Sequence, residues 1–446
     1  MKKVLIGMTA VVLMAAPVIA QDVAQPAAPA YNTDFEPSSE VAPGIYGKMS
    51  SPAASKFKLS FGGIVKLDYA YNSVNLGTNG ALGTLIPGGI PKTSSVQGQQ
   101  DQSIFTARQS RFWLKADGPL LLGAKTASLI EADFYGVGAG SNEAALLRMR
   151  HAYATLDWAG SGTQLLFGQS WDIFTLAIAN TVDFGSGNTT GNPGSPRVSQ
   201  IKLTQKVNLN NQNTLKFVVG VQNPVQDTNL GTNATTDTWG GMVNVAGQAM
   251  LVSKALGTAP GYGGFSMNPL TMGFFGLYGN ENVAGNKGTV DSWGYGFYTS
   301  VPVLASKDGK SRAMTATLEG QAYMAANMAF NYATAKTLVG PAGDKGPAKG
   351  YGYFGQLIFY PTQELGVSTG YGRRAASDYD SYVASGIKDF EKSNSHFFVN
   401  AAYDLNAAVR VAVEYQNLDT QYGNITAGTS DHGTANVGRL AFYYFF

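Results

Sequence analysis

From residue 57 onward the chain alternates between apolar and polar positions. The odd positions read Phe57, Leu59, Phe61, Gly63, Val65, Leu67, Tyr69 and Tyr71, while the even ones include Lys58, Ser60, Lys66 and Asp68. A period of two sends successive side chains to opposite faces of a strand, and the length suits a tilted membrane strand with its upper end in solvent. The pattern returns at 104–116, 124–135, 146–158, 163–170, 197–207, 213–222 and 241–255, then at 266–278, 291–302, 311–326, 350–361, 363–375, 393–405, 407–419 and 435–446. With the first, that predicts 16 strands, an even number as bacterial barrels require.

Connection lengths alternate too. Long ones are expected at 72–103, 136–145, 171–196, 223–240, 279–290, 327–349, 376–392 and 420–434, separated by turns such as Ala159 to Gly162, Asn208 to Gln212, Pro361-Thr362 and the single Asn406. A barrel with both ends in the periplasm has this arrangement, long outer loops and short inner turns. Gly and small residues blur the pattern around 241–255, and the inner turn expected after it, 256–265, is rather long. The last strand is clear: Leu440, Phe442, Tyr444 and Phe446 on one face, Arg439, Ala441 and Tyr443 on the other. An aromatic strand with terminal Phe looks like the signal read by the outer-membrane assembly machinery. In lipid every backbone N–H and C=O must be paired within the protein, so a sheet that crosses the bilayer has to close. The expected fold is all-β: a transmembrane antiparallel β-barrel over 57–446.

Composition fits that fold. Glycine occurs 55 times, 11% of residues are aromatic and only 13% are charged, which suits many turns and an apolar outer face. Mean hydropathy is near neutral at −0.06, because each strand averages a lipid face with a water face. There is no cysteine, so neither disulfides nor thiolate metal sites contribute. Lys2 and Lys3, the apolar run Val4 to Met14 and Val18-Ile19-Ala20 predict a cleaved signal peptide over 1–20, with the mature chain starting at Gln21. Its removal takes the formal charge from +2 to 0, which gives no reason to expect nucleic acid as a partner. Residues 21–56, rich in Ala, Pro and Ser, read as a flexible periplasmic lead-in.

The charged parity is read as inward, since ionisable side chains facing lipid would each cost a few kcal/mol. It carries Lys66, Asp68, Arg111, Lys115, Glu131, Asp133, Arg148, Arg150, Lys202, Lys216, Glu319, Arg410, Glu414 and Arg439. Arg108 differs from Arg111 by three, so strict alternation puts them on opposite faces unless a bulge intervenes. Two readings of the arginines stand side by side. They brace the wall against Glu131 and Asp133, or they leave a surplus positive field facing solute. The third long loop, 171–196, begins with Trp171, Asp172, Phe174, Asp183 and Phe184, too apolar for a loop in water. Folded into the lumen it would set Asp172 or Asp183 opposite the arginines; packed on a neighbouring subunit it would not. The pore-lining set is therefore Arg108, Arg111, Lys115, Glu131, Asp133, Arg148, Arg150, Asp172, Asp183, Arg197, Lys202, Arg410 and Arg439.

The runs Thr106 to Phe112, Ile130 to Gly136, Leu147 to Tyr153 and Phe167 to Trp171 resemble the first part of the DcaP-like porins. The resemblance carries motifs over about 57–207, and it implies a homotrimer of 16-stranded barrels with a folded-in third loop and a preference for small negatively charged organic acids. One feature departs: many such proteins have a heptad-rich helix before the barrel, whereas Pro26, Pro29, Pro37 and Pro43 would interrupt any helix here. The expected partners are the lipid bilayer, lipopolysaccharide and small solutes in transit. The alternative is a closed barrel that acts through its outer loops as an adhesin. An enzyme is not expected, because His151, His396 and His432 have no serine motif beside them, and neither metal ligation nor a cofactor is indicated.

Overall fold

The computed structural model describes residues 57–76, 89–136, 145–174, 176–184, 197–223, 243–282, 289–327, 337–339, 345–347, 349–377, 383, 386 and 388–446. The signal peptide and lead-in expected over 1–56 lie outside them. Sixteen strands form the wall. They are β1 (Lys58–Asn72), β2 in two halves (Gln102–Thr106 and Arg111–Asp117), β3 (Lys125–Gly136), β4 (Leu146–Trp158) and β5 (Thr163–Trp171). Next come β6 (Arg197–Asn208), β7 (Asn213–Gln222), β8 (Asn244–Pro260), β9 (Met267–Asn282), β10 (Thr289–Leu304) and β11 (Thr315–Ala326). The circuit ends with β12 (Lys349–Tyr360), β13 (Leu365–Ala376), β14 (Phe390–Asp404), β15 (Val409–Gly423) and β16 (His432–Phe445).

Each strand pairs antiparallel with the next, and β1 closes the ring by pairing with β16 from Ile64 opposite Phe445 to Asn72 opposite Val437. The seam runs to the last residue: Gly63 N donates to Phe446 O at 2.9 Å and Phe446 N to Gly63 O at 3.1 Å. A Cβ on Gly63 would lie 2.4 Å from the Arg111 carbonyl, so β1 approaches β2 here only because glycine has none. With no edge left in the wall, each of its sixteen strands has two neighbours, as a sheet in lipid needs.

The predicted faces hold. On β1, Val65 is 56% exposed and its neighbour Lys66 is 0% exposed. A soluble fold does the reverse; lipid outside and polar side chains within explain both. On β16, Phe442 and Tyr444 point outward while Arg439, Ala441 and Tyr443 are buried. Outward rings meet across strands, as Phe274 and Phe297 do with centroids 5.2 Å apart.

Four expectations need correction. The second strand is not continuous, because residues 107–110 form a turn that divides it. The turn expected at 256–265 is shorter and later: β8 continues to Pro260, and 261–266 makes the connection. Short connections at 361–364 and 405–408 replace the tighter Pro361-Thr362 and Asn406 turns. Finally, His432 opens β16 and does not belong to a loop.

The lipid-facing assignment is tested by Phe274→Arg at mid-strand on β9. It should destabilise the barrel in lipid by about 2–4 kcal/mol, measured by urea unfolding from vesicles. A loss near zero would mean that this face does not meet hydrocarbon.

Candidate functional site

Residues 172–174 and 176–184 lie within the barrel. Ile173, Phe174, Ala177, Ala179 and Asp183 are each at most 1% exposed, and Leu176, Ile178, Val182 and Phe184 are buried. Phe174 and its neighbours pack on inward side chains of β7 to β12 and β14, among them Val218, Met250, Phe275, Tyr298, Tyr323, Phe354 and Phe398. Ile178, Val182 and Phe184 pack on Ile64, Tyr443 and Phe445. Each large apolar side chain so buried stabilises the insertion by about 1.5–3 kcal/mol.

A backbone inserted into a lumen also needs hydrogen bonds, and wall amides and carboxylates supply them. Ile173 N donates to Gln222 Oε1 at 2.8 Å, and Gln248 Nε2 to Ile173 O at 2.5 Å. Asn180 N donates to Gln356 Oε1 at 2.8 Å, Asn180 Nδ2 to Ser368 Oγ at 2.6 Å, and Asn400 Nδ2 to Asn180 O at 2.6 Å. Val182 is held on both sides: its N–H donates to Glu414 Oε2 at 2.8 Å, and its carbonyl accepts from Lys66 Nζ at 2.8 Å and Tyr443 Oη at 2.9 Å. Lys66 also donates to Asp68 at 2.6 Å and to Gln109, with its ammonium 4.6 Å from the Phe184 ring centroid. Gln109, in the turn that divides β2, donates Nε2 to Asp183 O at 2.8 Å, and the other anchors come from β1, β7, β8 and β12 to β16, so the segment spans the lumen.

The arginine-rich wall lies on β2 to β4. Two departures from strand geometry concentrate charge there. The turn at 107–110 brings both Arg108 and Arg111 inside, at 7% and 4% exposure. A register shift opposite Glu131 and Ala132 then turns Arg150 and His151 inward together. Arg150 donates to Glu131 at 2.5 Å and to Asp133 at 3.1 Å; Arg148 grips Asp133 with Nε at 3.0 Å and Nη2 at 2.6 Å. Tyr135 lies beneath two guanidinium groups, Arg108 at 4.9 Å and Arg148 at 5.1 Å. Arg108 donates Nε to the Phe134 carbonyl at 3.1 Å and has no carboxylate partner among the described residues. Arg111 sits 4.3 Å over the Phe184 ring.

The other predicted residues are spread along the lumen. Asp172 is buried at the root of the inserted segment, beside Trp171, whose ring lies 4.5 Å below Arg197 and 5.9 Å from Arg150. Arg439 is 1% exposed, with Nη2 3.8 Å from Asp183 and Nε 3.6 Å from Glu414, while Thr181 Oγ1 donates to Asp183 at 2.5 Å. Lys115 pairs with Asp117 at 3.2 Å, away from the arginines, and Lys202 lies on the inward parity of β6. Arg410 belongs to a separate group at the short-turn end, donating to Asp404 at 2.5 Å and 3.1 Å, with Arg312 on the same carboxylate at 3.0 Å. Sequence reasoning missed the uncharged anchors Gln109, Gln222, Gln248, Gln356 and Asn400. All except Gln109 stand on the inward parity of their strands, and that signal was readable.

At the long-loop end, Lys92 of the first loop donates to Asp389 at 2.6 Å and to Thr429 at 2.7 Å, and Thr426 donates to Asp389 through its hydroxyl at 2.6 Å. Those bonds from Lys92 and Thr426 hold the Asp389 carboxyl down at about 2. Beneath the tether, Ile90 packs on the inward Leu418, Ala435 and Val437.

The chain is thus a closed antiparallel barrel, apolar outside and charged within, with residues 172–174 and 176–184 folded into it. Known structures agree on the fold. The DcaP outer-membrane channel of Acinetobacter baumannii superposes with a TM-score of 0.66 over 90% of this chain and all of that one, at 18% identity. The anion-selective porin of Comamonas acidovorans gives 0.52 at 12% identity, covering 88% of this chain and all of that one. OprB of Pseudomonas putida gives 0.51 at 14%, covering 88% and 94%. No family model and no curated protein sequence matches the chain. In fold, then, the chain is similar to the DcaP channel, as its motifs on β2 to β5 led one to expect.

Two outcomes follow. Arg150→Ala leaves Glu131 buried without its cation and should destabilise the barrel by about 3–5 kcal/mol, read from the urea midpoint of the heat-modifiable band; Arg150→Ala with Glu131→Gln should recover much of that. Asp389 has a folded pKa below the unfolded one, so its tether stabilises above about pH 4 and is lost as pH falls towards 2. The gap in thermal midpoint between wild type and Asp389→Asn should close over that window. A gap unchanged down to pH 2 would deny the tether any role.

Proposed function

We propose that this protein is an outer-membrane porin that gives passive diffusion to small hydrophilic solutes and favours small anionic organic acids. The observation that carries the reading is the division of the lumen. A pinned, largely apolar segment fills part of the cross-section, and the wall of β2 to β4 carries four inward arginines against two carboxylates. Arg148 and Arg150 are matched by Asp133 and Glu131, so much of this charge braces the wall. Arg108 lies against the Tyr135 ring and has no carboxylate partner among the described residues, which tips the local balance positive there. A fixed positive charge at a narrow point raises the local concentration of anions and lowers their barrier.

Supporting the location are the apolar outer face and the porin fold, with long loops outward and short turns in the periplasm. Residues 1–20 then serve as a cleaved signal peptide and 21–56 as the periplasmic lead-in. The working assembly in this reading is a homotrimer, embedded among lipid and lipopolysaccharide.

The test is planar-bilayer conductance of the mature protein with the reversal potential across a salt gradient, for wild type and for Arg108→Ala with Arg148→Ala. Stepwise conductance with an anion preference that falls in the variant is expected. An unchanged preference would keep the channel and sink the role of these arginines. Folded protein without conductance would favour a closed barrel acting through its outer loops.

A further inference from the structure

The turn between β8 and β9 does not stop at the rim. β8 pairs with β7 only as far as Ser253, opposite Asn213, and runs on to Pro260; its ladder with β9 shifts register between Pro269 and Leu270. This longer hairpin carries its tip, Gly261 to Ser266, across to the far strands. Thr317 Oγ1 of β11 donates to Pro260 O at 2.7 Å, and Arg410 Nη1 of β15 donates to Gly263 O at 3.1 Å. Phe265 lies 5.2 Å beneath Arg410 and 6.0 Å from the Phe445 ring.

The tip also meets the inserted outer loop. Gly263 N donates to Asn180 Oδ1 at 2.7 Å, and Tyr262, 5% exposed, packs in one cluster with Ile178, Val182 and Phe184. Local sequence permits the entry. Gly263 and Gly264 have φ of 64° and 72°, and a Cβ on Gly264 would lie 1.9 Å from the Tyr360 hydroxyl. Between tip and loop remains a cavity of about 40 Å³, bordered by the polar groups of Asn180, Ser368 and Arg410 and by the rings of Phe184, Phe265 and Tyr443.

We propose that this turn is a second constriction, in series with the inserted loop and on its periplasmic side, with Tyr262, Phe265 and Arg410 setting which solutes leave the lumen. The inference rests on the channel reading. A solute that passes residues 176–184 meets the turn next, across the small space that separates the two. Arg410 is fixed there by Asp404, which Arg312 also holds, so the turn is supported from the wall as well as by its contacts with the loop above.

The experiment is single-channel conductance and liposome swelling with sugars of graded size, using the full mature protein. It compares wild type, Tyr262→Ala with Phe265→Ala, the single variant Arg410→Gln, and a variant shortened within 176–182. Heat-modifiable migration confirms which of them fold, and Arg410→Gln keeps both rings should the double variant fail to assemble. Two constrictions of equal resistance in series predict about a two-fold rise in conductance when the lower one is opened, with larger sugars admitted. Suppose wild type conducts and the shortened loop raises conductance, yet the turn variants match wild type. The second constriction is then overturned and the channel stands. Absence of conductance in every folded form overturns the channel reading and takes this inference with it.

Discussion

Backbone hydrogen bonding in a medium without water is the constraint from which this structure follows. A spanning sheet can leave no N–H or C=O unpaired at an edge, so β1 must find β16, and the pairing at Gly63 and Phe446 completes the ring. Closure divides the side chains into two populations with opposite solvents. Alternation then becomes compulsory, and Lys66 and Val65 exchange the places they would take in a soluble protein.

A ring of this size leaves a lumen wider than wall side chains can fill, and the third loop occupies it. That insertion moves backbone polar groups away from bulk water, so each needs a partner from the wall. Gln222, Gln248, Gln356, Asn400, Glu414, Lys66 and Tyr443 meet the need with bonds that reach the loop from several strands at once. Ion pairs follow the same rule. Glu131, at 0% exposure, is tolerable because Arg150 meets it at 2.5 Å, and removing either partner would leave a buried charge uncompensated. The narrowing and the stability of the lumen therefore rest on the same contacts.

Most of the fold was legible because period two survives in almost every strand, and the loop lengths checked the count independently. The charged parity identified the lumen wall, and the apolar start of the third loop identified its insertion. What the sequence hid were the breaks in periodicity. Nothing in Ala107 to Ser110 announces a turn by glycine or proline, yet that turn brings Arg108 inside with Arg111. The shift beside Arg150 was likewise silent, since a bulge depends on the partner strand as much as on its own residues. Around 256–265 the glycines suggested a long turn, whereas they serve a strand that continues and a tip that bends inward.

These irregularities share a physical cause. A regular barrel strand offers the lumen every second residue, so side chains three apart, or adjacent, cannot both face inward. Arg108 with Arg111, Arg150 with His151, and the tip at 261–266 each place more chemistry inside than alternation allows. Each also gives up ladder hydrogen bonds, a loss tolerated only where other contacts replace it. The replacements are present: Phe134 N donates to Arg108 O at 3.2 Å across the divided strand, the shifted arginines are held by Glu131 and Asp133, and the tip is held by Thr317, Arg410 and Asn180. Departures from period two therefore mark where the wall has been shaped for the lumen and not for the membrane.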